Sequence, residues 1–234
     1  MSGAHIHFTH VQPEPDTLMP LRTRIKICGL TREADVAAAV EAGADAIGLV
    51  FYERSPRHVT LDRAAALVRE LPPFVTPVGL FVNPSSSDIA SACAAIPGLL
   101  LQFHGDEDVA TCEAPRRPYL RAARIGPGFD LLNFAALYSS AQAILLDAFV
   151  DGYGGGGKVF DWSVIPPNVP RPVVLSGGLN HANVIDGITR VRPSAVDVSS
   201  GVEAAKGIKD AELIRRFCAA VREADHRVAS TSTA

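Results

Sequence analysis

Val173-Val-Leu-Ser-Gly-Gly-Leu179 and, further on, Ala195-Val-Asp-Val-Ser-Ser-Gly-Val-Glu203 decide how this chain is read. Each is a short, valine-rich apolar run that stops at a glycine turn: Ser176-Gly177-Gly178 in the first, Ser199-Ser200-Gly201 in the second. Each turn precedes a segment able to begin a helix. Glycine lets the backbone come close to a ligand and turn its N–H groups outward, and the start of a helix favours negative charge. One Gly-Gly pair is commonly only a turn. Two glycine turns in succession, closing the last two strands of a strand-helix series, match the way barrels hold a phosphate.

Outward from this stretch, extended and helical runs alternate along the chain. Arg24–Cys28 leads to a helix at Arg32–Glu41, Asp45–Phe51 to Leu61–Glu70, and Val75–Val82 to Ser87–Ala95, with Ser85 to Ser87 offering an N-cap. Leu99–Phe103 leads to Glu107–Glu113, and Tyr119–Ile125 to Phe129–Tyr138. Ala143–Asp147 leads to a long glycine-rich loop and a short helix near Asp161–Val164. Val173–Leu175 is followed by Asn180–Thr189, and Ala195–Val198 by Asp210–Ala224. Eight such units without a break in composition predict an α/β fold, a (β/α)8 TIM barrel forming a single domain over residues 23–226. The competing fold is an open doubly wound sheet. That fold usually carries a GxGxxG after its first strand, and Cys28-Gly-Leu-Thr31 is not one.

At 234 residues, 47% hydrophobic and 20% charged, the chain has the makeup of an ordinary globular protein. A net charge of −3 supplies no footprint for nucleic acid or an anionic membrane, so an anion must be held by a local site. The four cysteines are dispersed without CxxC spacing, which argues for reduced thiols and against a zinc site or disulfide framework. No stretch has the character of a signal peptide or membrane span, and a cytoplasmic protein is expected. Residues 1–22, with His5, His7 and His10 among polar residues and no periodicity, read as a flexible leader, and 227–234 as a disordered tail.

Barrel closure makes a specific demand on side-chain alternation. If Ile25 and Ile27 face the helices, Lys26 and Cys28 face the axis; likewise Val196 and Val198 face out and Asp197 in. The first and last strands are neighbours only in a closed barrel, where Lys26 and Asp197 can pair. Gln102 and His104 also fall on the inner face. Cys28, at a strand end, is either a small buried hydrophobe or a reactive thiol; an ordinary thiol is only about 3% thiolate at pH 7, and Lys26 beside it could lower its pKa. Asp147 closes an apolar strand, either as a cap or as a functional carboxyl at the barrel mouth. After it, Gly152-Tyr-Gly-Gly-Gly-Gly-Lys158 reads as a linker or a lid, with Lys158 available to an anion. Arg57, after a proline-stiffened turn, is either solvated or placed to grip a planar carboxylate. Asp197 and Gln102 read as structural polar groups inside the barrel.

These segments resemble the phosphoribosylanthranilate isomerase family throughout. The resemblance is carried by Lys26-Ile-Cys-Gly-Leu-Thr31, Gly48-Leu-Val-Phe-Tyr52 with Ser55-Pro-Arg57, Val78-Gly-Leu-Phe-Val82, Leu101-Gln-Phe-His-Gly105, Leu145-Leu-Asp147, Tyr153 through Lys158, Phe160-Asp-Trp162, Leu175-Ser-Gly-Gly-Leu179 and Val196 through Glu203. It runs from about Arg24 to Ala224 in the family's order. Phe103, where the family often has leucine, and the N-terminal leader are mild departures that touch no site residue. The resemblance implies a cofactor- and metal-free Amadori rearrangement of a phosphosugar in tryptophan biosynthesis. Cys28 is then the general base, Asp147 the general acid and Arg57 the partner of the anthranilate carboxylate. A phosphosugar epimerase or an aminoaldose isomerase of histidine biosynthesis would be expected to use paired carboxylates or a metal. A barrel that only binds its ligand would not need Cys28 and Asp147. The smaller partners expected are a phosphosugar substrate and at most a second copy of the chain, as monomer or homodimer.

Overall fold

The computed structural model describes residues 22–148 and 160–232. Nearly all of the predicted leader, the glycine-rich loop with Lys158, and the last two residues lie outside the described residues. The strands are β1 (Arg24–Cys28), β2 (Ala46–Val50), β3 (Thr76–Phe81), β4 (Leu100–Phe103), β5 (Tyr119–Ile125), β6 (Ala143–Ala148), β7 (Val173–Leu175) and β8 (Ala195–Val198). They pair in parallel in chain order, and β8 returns to β1 to close the barrel. The open sheet is thereby excluded.

Alternation along each strand separates two apolar layers. Ile25, Ile27, Ile47, Leu49, Phe103, Ile144, Leu146, Val196 and Val198 lie in the main core with residues of the surrounding helices. Val78, Leu120, Ala122, Ala143, Leu145 and Val174 form a second, separate cluster, the filling of the barrel itself. On the same inner face but nearer the C-terminal strand ends, the residues change from aliphatic to polar. Lys26 sits in register with Asp197, and its Nζ donates to Asp197 Oδ1 at 2.8 Å, the pairing that closure demands.

The helices are α1 (Glu33–Glu41), α2 (Leu61–Arg69), α3 (Ser86–Ala95), α4 (Val109–Glu113), α5 (Leu131–Leu137), α6 (Val184–Val191) and α7 (Ala211–Ser232). Their starts follow from local chemistry. Ser85 and Asp88 form a capping box on α3, while Asp108 and Asp130 cap α4 and α5. α6 starts later than its periodicity suggests. Asn180 accepts from Ala182 N and Asn183 from Asn180 N, both at 2.8 Å, so asparagine side chains hold the chain in turns before the helix begins.

Two further features depart from the sequence reading. After β8 the chain does not run directly to its last helix: a short 3-10 turn (Ser200–Val202) leads to an antiparallel hairpin of β9 (Glu203–Ala205) and β10 (Ile208–Lys209). And 227–232 is not a disordered tail, because α7 continues through it to Ser232. The polar composition there suggested a tail. Within the helix, however, Ser230 Oγ donates to His226 O and Thr231 Oγ1 to Val228 O, each at 2.9 Å, so the hydroxyls are satisfied without leaving helical geometry.

Candidate active site

At the C-terminal ends of the strands a pocket of about 310 Å³ is lined by Cys28, Arg57, His104, Asp147, Gly177, Gly178, Asp197, Ser199 and Ser200, among others. Most of the polar residues singled out from the sequence therefore meet in one place. Lys26 and Gln102 are buried on the inner face beneath it, and Gly201 acts through the backbone. A Cβ on Gly201 would lie 1.9 Å from the Leu179 carbonyl oxygen. The two glycine turns thus touch backbone to backbone, and no side chain fits between them. Gly177 has φ +76°, and a Cβ there would lie 2.6 Å from Ala148 N, so the first turn packs directly against the end of β6 that carries Asp147.

Asp147 is held from two sides. Its Oδ1 accepts from Ala148 N at 2.9 Å, and its Oδ2 lies 3.1 Å from His104 Nε2. Gln102 Nε2 is 3.2 Å from His104 Nδ1. His104 is thus held through both ring nitrogens, between the Gln102 amide and the Asp147 carboxyl. The loop bearing His104 is itself pinned, since buried Glu107 accepts from Asn83 N at 2.7 Å and from Gly105 N at 2.9 Å.

Cys28 is buried, and burial pushes its thiol above the ordinary range; Lys26 pulls it back only in part. The lowered thiol pKa expected from the Lys26 neighbour is therefore corrected. Removing the sulfur from water outweighs a lysine whose charge is already paired with Asp197. For Lys26, burial alone would lower the ammonium pKa, but Asp197 and Cys28 together raise it. Lys26 remains a cation.

Arg57 differs from the sequence picture in a useful way. Its Nε and Nη2 donate to Glu203 Oε1 and Oε2 at 2.7 and 2.8 Å, so one edge of the guanidinium fork is filled from within the protein. The opposite, end-on edge, made of the Nη1 hydrogens and the second Nη2 hydrogen, is left to meet a ligand in the pocket. Lys209 Nζ donates to Glu203 Oε1 at 2.9 Å and to Ser199 O at 3.0 Å. Burial raises and these cations lower the Glu203 carboxyl, and the cations prevail. Sequence reasoning missed both residues as parts of the site. Glu203 stood at the end of a quoted motif with no chemistry attached to it, and nothing local to Lys209 announced a partner across a hairpin.

Fold and pocket together define a (β/α)8-barrel enzyme whose chemistry sits at the C-terminal rim. The family model described as N-(5'phosphoribosyl)anthranilate (PRA) isomerase matches residues 25–220, and the chain belongs to this family. It is 74% identical over 216 residues to N-(5'-phosphoribosyl)anthranilate isomerase of Leptothrix cholodnii, covering 92% of this chain and 98% of that one. Among solved structures it is similar to the phosphoribosyl anthranilate isomerase of Thermotoga maritima, with a TM-score of 0.78 and 42% identity over 86% of this chain and 99% of that one. A further similar structure, at TM-score 0.74 and 38% identity over 86% of this chain and 99% of that one, is an isomerase in complex with reduced 1-(o-carboxyphenylamino)-1-deoxyribulose 5-phosphate.

Proposed function

We propose that this protein converts N-(5-phosphoribosyl)anthranilate to 1-(2-carboxyphenylamino)-1-deoxyribulose 5-phosphate, an Amadori rearrangement in tryptophan biosynthesis, by acid-base catalysis without a metal or organic cofactor. The observation that carries this reading is one pocket lined by Cys28, Asp147, Arg57 and both glycine turns, in a chain of this family. Asp147 protonates the ribose ring oxygen as the C1–O bond breaks, and the anthranilate nitrogen supplies the electrons that form an iminium. Cys28 removes the now acidic proton from C2 to give an enolamine, which tautomerises to the ketone. Each of these proton transfers contributes roughly 10²–10⁴-fold.

The remainder comes from position. N–H groups of the Gly177-Gly178 and Ser199-Ser200-Gly201 turns hold the phosphate, and the free end of Arg57 meets the anthranilate carboxylate. His104, steadied by Gln102, orients the Asp147 carboxyl, and Asp197 holds Lys26 near Cys28. Lys158, outside the described residues, is assigned as an added anion contact. The protein acts in the cytoplasm, as a monomer or homodimer, on a small phosphosugar and not on nucleic acid or a membrane.

The test is direct. Purified protein is added to phosphoribosylanthranilate generated in place, and loss of the substrate's fluorescence is followed. Wild type consumes it, and Asp147→Asn lowers kcat by roughly 10²–10⁴-fold. A wild-type protein that leaves the substrate untouched ends the proposal.

A further inference from the structure

The β9-β10 hairpin joins the two ends of the pocket through side chains that the reaction itself does not require. Glu203 Oε1 accepts from Arg57 Nε at 2.7 Å, from Lys209 Nζ at 2.9 Å and from Gly207 N at 3.3 Å, while Oε2 takes Arg57 Nη2 at 2.8 Å. Lys209 Nζ reaches the other way, to the carbonyl of Ser199 at 3.0 Å and its hydroxyl at 3.3 Å. The Lys209 side chain is fully buried and that of Glu203 only 6% exposed. The stem of Arg57 is confined as well, because a Cβ on Gly29 would stand 2.5 Å from Arg57 Cδ. Among these three groups two cations share one carboxylate. The local surplus is positive, and it faces a pocket in which an anion is to be bound.

We infer that Glu203 and Lys209 are positioning residues for substrate recognition: Glu203 aims the free end of Arg57 at the substrate carboxylate, and Lys209 ties that grip to the Ser199 turn. This rests on the proposed function, in which Arg57 meets the carboxylate and the turns meet the phosphate. An arginine left to its own rotamers points in many directions, whereas one held through Nε and Nη2 presents a single remaining end. The hairpin then sets the distance between carboxylate and phosphate, and so where C1 and C2 fall relative to Cys28 and Asp147. A small misplacement at such a grip is felt at the reacting atoms.

Two probes separate aiming from general support. One is the reduced product, 1-(2-carboxyphenylamino)-1-deoxyribitol 5-phosphate; the other is the same compound without its carboxylate. Inhibition constants for both are measured with wild type, Glu203→Gln and Lys209→Met. Wild type favours the carboxylated probe. In Glu203→Gln that preference falls by about ten- to a hundredfold while the probe lacking the carboxylate binds as before. In Lys209→Met the preference falls and binding of the second probe weakens too, because Lys209 also steadies the phosphate turn. If Glu203→Gln keeps the full preference, or weakens both probes equally, the positioning role is wrong while the Arg57 reading stands. If wild type shows no preference, the Arg57 reading fails and the inference with it. Should Glu203→Gln not fold, Glu203→Asp, which keeps the charge on a shorter stem, carries the same comparison and is expected to lose part of the preference.

Discussion

A sulfur surrounded by protein is a poor anion until something compensates the loss of water, and at Cys28 the compensation is partial. Burial raises the thiol and Lys26 lowers it by less. The consequence for the proposed base has a definite sign. The reactive form is the thiolate, so with a pKa above the ordinary value of about 8.5 the thiolate fraction of Cys28 grows as pH rises through that region. The expected outcome is alkylation of Cys28 by iodoacetamide, followed by mass spectrometry of its peptide, that still accelerates between about pH 7 and 9. A profile already flat at neutral pH would contradict it. Cys28 and Asp147 could be picked out from the sequence because each ends an apolar strand, where alternation and barrel polarity say what a terminal side chain faces. Glu203 and Lys209 could not. Their partners, Arg57 and Ser199, come from different loops, and only folding measures those distances.

Elements that begin with a capping residue were legible, because a cap acts over three or four positions. Ser85 to Ser87 were read as offering the N-cap of this helix for that reason, and the structure places the cap at Ser85, in a capping box with Asp88. The far end of α7 was not legible, since serine and threonine favour turns and caps in general. Within the extension Val228 packs against the main core, and just before it the helix is fastened to the start of the barrel. The Asp225 carboxylate accepts from Thr23 N at 3.2 and 3.1 Å and from Thr23 Oγ1 at 2.7 Å, fastening α7 to the residue just before β1. Thr23 is buried, so losing its partner leaves donors unsatisfied. Asp225→Ala is expected to cost about 1–3 kcal/mol in urea unfolding and to leave KM unchanged, because the contact lies at the end of β1 away from the pocket. A variant with wild-type stability would show the fastening to be dispensable.

For the molecule as a whole, closure is the event on which the pocket depends. The pairing of β8 with β1 brings Lys26 and Asp197 together from opposite ends of the barrel sequence, in a setting where each side chain is about 5% exposed. Breaking such a pair from one side strands a buried charge at a cost of about 3–5 kcal/mol, while replacing both partners by apolar groups is often far milder. Lys26→Met and Asp197→Leu are each expected to be strongly destabilising, and the double variant to recover much of the loss. Urea unfolding of the four proteins measures the coupling directly. Additive losses would mean that the two side chains are held independently of one another.

The order of strands and helices, the closed barrel and membership of the family were all determined by the amino-acid sequence, as was the gathering of Cys28, Asp147, Arg57 and the glycine turns at one rim. Hydrophobic period, caps and turn chemistry act over a few residues, and once eight strand-helix units close, alternation places the rest. Tertiary structure alone decided that burial outweighs Lys26 at the Cys28 sulfur, that Glu203 fills half of the Arg57 fork, and that α7 runs on to Ser232. Each of those depends on desolvation or on a bond between residues remote in the chain, and neither quantity exists until the chain is folded.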